Sequence, residues 1–462
     1  MTQNSKKWFI FLLLHSFFVF INSQKLAVVI IDGLAANTFY KFSHLSVFRT
    51  FEEEGVWSTK VFPVFPTFSI SNRHSLMTGT LPRRHGLIGD HIYNWRDNLK
   101  FQNFTADSDF SRDWWSIDPI YVSALRSSAS VAMFFFPECD VDWDVAPQIC
   151  VPPRTDGKTF ADESQAKRVI QATKEHDLTL IYHPWIGEEI RRKGVHHTNE
   201  KHSKEVLRFA QSLERLTAQA RERVDLNVIV VSTHGFIDVP RKNIRVIDEY
   251  IPMELIETTV GSGAMKQLQV KKGKTHQVYS QLHDHHPIPN VHVYYTNPKS
   301  GDLPEHYHFK KSDTVADLIL LADPGYAVVT VSLHSCGGKL IRFFQKDEKK
   351  QVPKPKLHEI TAAIDGYNNE LPDVLGVFLG YGPAFRVGFR KGPIQLFDVY
   401  SLMCSLLSIE DSCNHTPGRI LRIDDVLTSD ARVSIRSSTS FVSSPLLTVI
   451  LVIMLSVVKL FY

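Results

Sequence analysis

The sequence predicts an α/β protein with a central, mostly parallel sheet flanked by helices, and three observations lead to this fold class. Short apolar runs without polar alternation recur along the chain, namely KLAVVIID, LTLIYH, LNVIVVSTHG and VLGVFLGYG. Such runs are typical of strands that are buried on both faces of a parallel sheet. Helix-compatible segments such as HSKEVLRFAQSLERLTAQARERV, with apolar residues at three-to-four spacing, lie between them. No internal repeat divides residues 24–427, so we expect one folded domain there.

The composition is that of an ordinary globular protein. The chain has 462 residues, of which 43% are hydrophobic and 22% are charged, and its formal net charge is +3. Because no basic tract concentrates this charge, we expect no nucleic-acid partner.

The first 23 residues predict a secretory signal peptide. Lys6 and Lys7 precede an apolar run that begins at Trp8, and Asn22 and Ser23 offer a cleavage site. A membrane-spanning helix at the N-terminus is the alternative. Either interpretation sends the rest of the chain into the secretory pathway.

The other end of the chain predicts attachment to a membrane. Residues 428–444 are rich in serine and are interpreted as a stalk, and residues 445–462 form an apolar tail. Small residues, a polar spacer and an apolar tail favour a GPI-attachment signal. A single transmembrane helix is the alternative, since the tail is close in length to the ~20 residues that a helix needs to cross a bilayer. Sequons at Asn103 and Asn414 predict glycosylation on the extracellular face of the plasma membrane.

The five cysteines are expected to pair in that oxidising compartment. The short spacings favour Cys139 with Cys150 and Cys404 with Cys413. Cys336 is then left over.

Polar residues follow the predicted strands. Asp32 comes after the first strand, and Thr233 and His234 come after LNVIVVS. The carboxyl ends of parallel strands meet at one edge of a sheet, where ligands bind in this class of fold. A polar loop with Ser69 at its centre, FPTFSISNRHSLMTG, supplies a candidate nucleophile.

In combination, these segments resemble the ectonucleotide pyrophosphatase/phosphodiesterase family of the alkaline phosphatase superfamily. The nucleophile loop of that family is similar to FPTKTFPNHYTLVTG followed by YPxxHG, and here FPTFSISNRHSLMTG is followed by LPRRHG. STHGF stands where the family has SDHGM, and AIDGYNN stands where it has GxHGYDN. The resemblance implies an alkaline-phosphatase-like fold, two zinc ions and a Thr or Ser nucleophile that attacks a phosphoryl group.

The resemblance also implies roles for single residues. Ser69 takes the position of the nucleophile, and Asn72 that of the amide that holds the phosphoryl oxygens. Asp32, Ser69 and His234 retain a partial zinc site. Three protein ligands of this kind can hold one zinc ion.

The remaining metal positions are degenerate by the same comparison. Thr233 replaces an Asp, Gly187 replaces an Asp, and Arg191 and Asp365 each replace a His. Gly187 has no ligand atom, and Arg191 brings a cation to a cation site. The family's positions of Arg191 and Asp365 converge on one ion, so we expect these two side chains to form an ion pair instead.

Shifting the alignment of this segment with the family motif would make Glu188 or Glu189 a metal ligand. The residues on either side would then no longer match the motif.

These changes favour a pseudoenzyme that serves as a binding or signalling module. Its partner would be a phosphate-bearing ligand, such as a nucleotide or a phospholipid, or another protein, and Arg73 and Arg191 would lie near the pocket. The alternative is an active hydrolase of nucleotides or phospholipid head groups that uses Ser69 and one or two zinc ions. The expected cofactor is therefore zinc at one site, or none.

Overall fold

The computed structural model describes residues 24–97, 99–102, 114–154, 156–195, 200–261, 263–297, 299–330, 335–336 and 361–432. The predicted signal peptide, the apolar tail, residues 433–444 of the stalk and Asn103 lie outside these ranges. Within the described ranges, no helix is both long and apolar enough to cross a membrane.

The described strands, in chain order, are β1 (Lys25–Ile31), β2 (Val56–Phe62), β3 (His91–Asn94), β4 (Leu99–Gln102), β5 (Val131–Phe134), β6 (Ile149–Val151), β7 (Leu178–His183), β8 (Leu226–Ser232), β9 (Ile237–Pro240), β10 (Ile244–Val246), β11 (Ile256–Val260), β12 (Met265–Val270), β13 (Val291–Tyr295), β14 (Leu318–Ala322), β15 (Ala327–Val329), β16 (Ser335–Cys336), β17 (Thr361–Ile364), β18 (Gly376–Tyr381), β19 (Phe389–Arg390) and β20 (Ile394–Gln395). The described α-helices are α1 (Ala36–Tyr40), α2 (Ser46–Glu54), α3 (Ser69–Thr78), α4 (Pro82–His85), α5 (Ile120–Arg126), α6 (Glu163–Glu175), α7 (Trp185–Lys193), α8 (Glu200–Glu222), α9 (Thr275–Ser280) and α10 (Asp398–Leu406).

A mostly parallel sheet forms the centre of the fold, as the sequence predicts. Its strand order is β19-β2-β18-β8-β1-β7-β5-β6, with β20 beside β2. Strand β1 lies between β8 and β7, and both pairings are parallel. Strand β18, which contains VFLGY, runs antiparallel to both of its neighbours. The four apolar runs recognised in the sequence therefore all belong to one sheet.

The two faces of this sheet are buried under different helices. Along β1, Ala27 and Val29 face one core, which contains residues of α2, α6 and α8. Leu26 and Val28 face the other core, which contains residues of α3, α5 and α10. Because successive side chains of a strand point to opposite faces, burial on both sides requires an unbroken apolar run.

A second, five-stranded sheet lies between β8 and β18 in the sequence. Its order is β13-β14-β12-β11-β16, and it has a separate apolar core. The antiparallel pair of β9 and β17 joins this region to the main sheet. That pair places Asp365, which follows β17, near the segment after β8.

Both predicted disulfides are confirmed. Cys139 bonds to Cys150 with a Cα–Cα distance of 5.7 Å, and Cys404 bonds to Cys413 with a distance of 6.5 Å.

Candidate active-site pocket

The polar residues predicted from the sequence meet at the carboxyl ends of the central strands. Asp32 follows β1, His234 follows β8 and Asp365 follows β17, whereas Arg191 lies on α7, the helix after β7. Ser69 is the first residue of α3. Asp32, Ser69, His234 and Asp365 are buried. The topology thus brings together five side chains that are far apart in sequence.

Ser69 lies at the centre of this cluster. Its hydroxyl donates to Asp32 Oδ2 at 2.9 Å, and its Oγ is 3.1 Å from His234 Nε2. The same oxygen lies 3.4 Å from Asp365 Oδ2 and accepts from Arg191 Nη2 at 3.2 Å. Two carboxylates, one imidazole and one guanidinium therefore surround the candidate nucleophile.

Asp32 is held as a carboxylate. Thr233 Oγ1 donates to its Oδ1 at 2.9 Å, and His234 Nε2 lies 3.3 Å from the same oxygen. Burial alone would raise the pKa of Asp32, but the hydrogen bond and charge of His234 and the charge of Arg191 bring it well below the ordinary value. Thr233 thus acts as a hydrogen-bond donor to Asp32 where the family has a carboxylate.

His234 is oriented from both sides of its ring. Its Nδ1–H donates to the Gly235 carbonyl at 2.8 Å, so Nε2 faces the carboxylates. Burial lowers the pKa of His234, but the hydrogen bond with Asp32 and the charges of Asp32 and Asp365 outweigh it and raise the pKa overall. The two carboxylates therefore increase the affinity of the ring for a proton despite its burial.

Arg191 and Asp365 form the ion pair expected from the sequence. Arg191 Nη2 lies 3.0 Å from Asp365 Oδ2, and the side chains are 33% and 9% exposed. The guanidinium also lies 5.1 Å from the centre of the Phe236 ring. Burial lowers the pKa of Arg191, but the charges of Asp365, Asp90 and Asp32 raise it overall, so the guanidinium stays protonated. Burial raises the pKa of Asp365 against the effect of Arg191.

The position of Gly187 has no space for a side chain. A Cβ there would lie 3.0 Å from the backbone oxygen of Asp32 and 3.1 Å from its Oδ2. Helix α7 therefore packs its backbone directly against Asp32.

The two neighbouring glutamates are engaged with cations of their own helix. Glu188 lies 3.5 Å from Arg191, whereas Glu189 pairs with Arg192 and Lys193. This arrangement does not favour the shifted alignment that would make either glutamate a metal ligand.

The side-chain amide of Asn72 makes its hydrogen bonds to the loop before α3. Its Nδ2 donates to the carbonyls of Val64, Pro66 and Phe68 at 3.3, 3.2 and 3.0 Å. Its Oδ1 accepts from the Val64 amide at 2.7 Å. The side-chain amide therefore holds the loop before α3 in place, and that loop positions Ser69.

Arg73 forms a buried ion pair. The residue is 1% exposed, its Nε donates to Glu138 Oε1 at 2.7 Å, and its guanidinium lies 4.6 Å from the centre of the Tyr182 ring. The charge of Asp32 also acts on this guanidinium, so Arg73 belongs to the electrostatic surroundings of the pocket.

Asp90 acts on the pocket although no motif of the sequence singles it out. The charge of Asp90 acts on Arg191, Glu188 and Asp365, so it belongs to the electrostatic surroundings of the pocket. Its only sequence signal is its place in the turn after LPRRHG, which does not distinguish it from other surface acids.

The two halves of the pocket differ in their fit to zinc. Atoms of Asp32, Ser69 and His234 lie within 3.3 Å of one another, which suits one ion with three ligands. In the other half, the guanidinium of Arg191 stands beside Asp365. Within the described ranges, three His, Cys, Asp or Glu ligand atoms gather within 4.8 Å only at Cys139, Asp140 and Cys150, and both cysteines are disulfide-bonded.

An alkaline-phosphatase-like α/β protein is the class that this fold and pocket define. The chain belongs to the type I phosphodiesterase / nucleotide pyrophosphatase family, whose model matches residues 26–349.

Curated relatives agree with this assignment. The chain is 24% identical over 414 residues to human ectonucleotide pyrophosphatase/phosphodiesterase family member 5, and the match covers 88% of this chain and 79% of the relative. It is 24% identical over 402 residues to human bis(5'-adenosyl)-triphosphatase, and the match covers 85% of this chain and 80% of the relative. Among solved structures, an inactive variant of murine ectonucleotide pyrophosphatase / phosphodiesterase 5 in complex with AMP superimposes with a TM-score of 0.73. That likeness covers 88% of this chain and 100% of the murine chain at 23% identity, and it supports the fold.

Proposed function

We propose that this chain is an extracellular, membrane-anchored member of the family that works as a binding or signalling module and has lost efficient hydrolysis. The observation that carries this proposal is the position of Arg191. Its guanidinium donates to Ser69 Oγ at 3.2 Å and pairs with Asp365 at 3.0 Å. A side-chain cation thus occupies the part of the pocket where the resemblance implies a metal ion.

A guanidinium cannot replace the chemistry of a bound metal. A metal ion activates a nucleophile and holds phosphoryl oxygens by exchanging its ligands. Arg191 has only donor groups and is already engaged with Asp365. Ser69 donates its proton to Asp32, whose lowered pKa makes it a weak base. The Ser69 hydroxyl is therefore expected to stay protonated and unreactive.

Side chains of the pocket balance part of its acidic charge. Asp32 and Asp365 face Arg191, whose guanidinium stays protonated, and His234, whose pKa is raised. The charges of Asp90 and Glu188 also act there. Arg191 is the one-third exposed cation of this pocket.

A phosphate-bearing ligand is the proposed occupant of the pocket. The murine relative in complex with AMP motivates AMP as the first probe. We expect calorimetric titration of AMP into the full chain to show binding that Arg191→Ala weakens. Equal binding by both proteins would place the nucleotide elsewhere.

The decisive experiment measures zinc per chain and turnover together. The full chain would be purified from a secretory host and assayed with a chromogenic phosphodiester, with Ser69→Ala as the matched control. We expect no bound zinc and no turnover above that of Ser69→Ala. Two zinc ions per chain with turnover that depends on Ser69 would overturn the proposal.

The geometry of the retained half supports a second candidate, a hydrolase that uses one zinc ion. Asp32, Ser69 and His234 would hold the ion, which would lower the pKa of the nucleophile when bound. One zinc ion per chain and turnover that EDTA and Ser69→Ala both abolish would establish this alternative.

A further inference from the structure

The described chain ends at the opposite end of the sheet from the pocket. Thr428 N–H donates to the Ala384 carbonyl at 2.9 Å, and Phe385 and Leu427 form an isolated β-bridge. The Ala384 amide in turn donates to Asn227 Oδ1 at 2.9 Å. Asn227 is the second residue of β8, so the C-terminal segment leaves the fold at the amino ends of the parallel strands.

The pocket lies at the carboxyl ends of the same strands. Strand β1 has seven residues between the two ends. At about 3.3 Å per residue, the length of β1 separates the chain exit from Asp32 by about 20 Å.

Two of the most exposed apolar side chains of the described residues lie at the amino-end edge. Val387 is 76% exposed and Val224 is 75% exposed. Val387 comes two residues before the start of β19, and Val224 comes two residues before the start of β8. The order β19-β2-β18-β8 places these strands three spacings apart. This corresponds to about 14 Å at ~4.8 Å per strand.

Exposed cations flank Val387. Arg386 lies 3.9 Å above the centre of the Phe389 ring, and Arg390 lies 4.7 Å above the centre of the Trp57 ring. Both arginines are exposed. An apolar tip between stacked guanidinium groups has the amphipathic chemistry of a surface that contacts lipid head groups.

We propose that Val224, Arg386, Val387 and Arg390, here called the basal face, contact the surface of the bilayer that carries the C-terminal tail. The proposal rests on the membrane attachment included in the proposed function. Residues 433–444 would span at most about 40 Å when extended, so the tail limits how far the basal face can lie from the bilayer. The pocket then opens away from the membrane, towards ligands in the extracellular medium.

The experiment compares two label sites on the full chain reconstituted in vesicles. Bimane would be attached to Val387→Cys or to Leu421→Cys, each combined with Cys336→Ser. Leu421 is the control because it is 72% exposed and lies outside the basal face. Its neighbour Arg422 donates to Asp398, the first residue of α10. Helix α10 follows β20, which pairs with the carboxyl end of β2. The vesicles would contain phosphatidylcholine, phosphatidylserine and a lipid with a spin-labelled head group.

We expect at least about twofold stronger quenching at residue 387 than at residue 421. We also expect Arg386→Gln with Arg390→Gln to reduce the quenching at residue 387 in vesicles that contain phosphatidylserine. Equal quenching at the two sites, or stronger quenching at residue 421, would overturn the orientation. A chain that does not float with the vesicles would overturn the membrane attachment itself, whereas the zinc and turnover assays would be unaffected.

Discussion

The two halves of the pocket differ in how their side chains are paired. In one half, Asp32, Ser69 and His234 keep a compact arrangement in which hydrogen bonds join all three side chains. In the other half, Arg191 and Asp365 form a direct ion pair. The first half still has the geometry of a ligand set, whereas the second contains a cation of its own.

This difference teaches that a buried acidic pocket must be supplied with positive charge from some source. Asp32 and Asp365 lie inside the fold, and the charges of Asp90 and Glu188 also act there. Buried carboxylates without partners are strongly destabilising. Arg191 supplies positive charge there, and the raised pKa of His234 favours a second cation in the pocket.

The largest expected effect comes from the retained half. Replacing Asp32 by Ala removes the acceptor of Ser69 and Thr233 and leaves His234 with one carboxylate fewer. We expect the free energy of unfolding at pH 7 to fall by about 3–5 kcal/mol, as for other buried charge networks. Denaturant titration of the full chain would measure the change. Asp156→Ala, which removes an exposed partner of Arg154, is the control and should change stability little. A loss no greater than that of the control would mean that the cluster does not depend on Asp32.

A somewhat smaller effect is expected in the other half. Asp365→Ala leaves Arg191 and His234 without a shared carboxylate, and we expect a loss of about 2–3 kcal/mol. The expected loss is smaller than that for Asp32→Ala because Arg191 is 33% exposed and water screens its charge. Combining Arg191→Met with Asp365→Leu should recover most of this loss, since an apolar pair needs no charge balance. A double variant as unstable as the sum of the single variants would contradict the pairing.

Zinc titration tests whether Arg191 is what separates the two halves. Arg191→Ala leaves Asp32, Ser69, His234 and Asp365 without the guanidinium, so the pocket should gain affinity for zinc. Free zinc at some thirtyfold above its Kd should then add about 2 kcal/mol to the free energy of unfolding. We expect no such shift in the wild-type chain or in Arg191→Lys, which keeps the charge. A shift of equal size in Arg191→Lys would show that charge in this half does not exclude the metal.

The sequence was sufficient for the parts of the fold that depend on apolar runs. Strands β1, β7 and β8 were recognised because burial on both faces gives each of them a largely apolar run without polar alternation. Strand β12 of the second sheet was missed for the opposite reason. In β12, Lys266 and Gln267 are buried and form hydrogen bonds within the fold, so the strand has no apolar signature.

Some side-chain contacts of the candidate site could be predicted from the sequence and others could not, for a similar reason. The family resemblance implies that the positions of Arg191 and Asp365 converge, and their complementary charges then predict the pairing. The roles of Asn72 and Arg73 depend on which way each side chain points along α3. Asn72 turns back to the loop carbonyls and Arg73 reaches Glu138, and neither direction is visible in a motif.

The smallest predicted effect extends the comparison to a buried histidine outside the cluster. Whereas carboxylates raise the pKa of His234, burial lowers the pKa of His85 to about 3. The Leu87 amide donates to His85 Nδ1 at 3.2 Å, and the Nε2–H of this tautomer donates to Ser75 Oγ at 2.9 Å. The folded protein therefore keeps His85 neutral.

Protonation of His85 in the unfolded chain makes stability depend on pH. As the pH falls below about 6.5, the unfolded chain gains a proton that the folded protein does not, so the free energy of unfolding decreases until the pH reaches the folded pKa of about 3. Between pH 7 and pH 5.5, this one residue should remove about 1.4 kcal/mol. In His85→Asn, the side-chain oxygen can still accept from Leu87 but does not titrate, so the pH dependence should weaken by that amount. Ser75→Ala removes the hydrogen bond between His85 Nε2 and Ser75 Oγ but keeps the histidine. It should therefore lower the free energy of unfolding equally at pH 7 and pH 5.5. If His85→Asn and the wild-type chain lost the same stability between these pH values, His85 would not be a source of acid sensitivity.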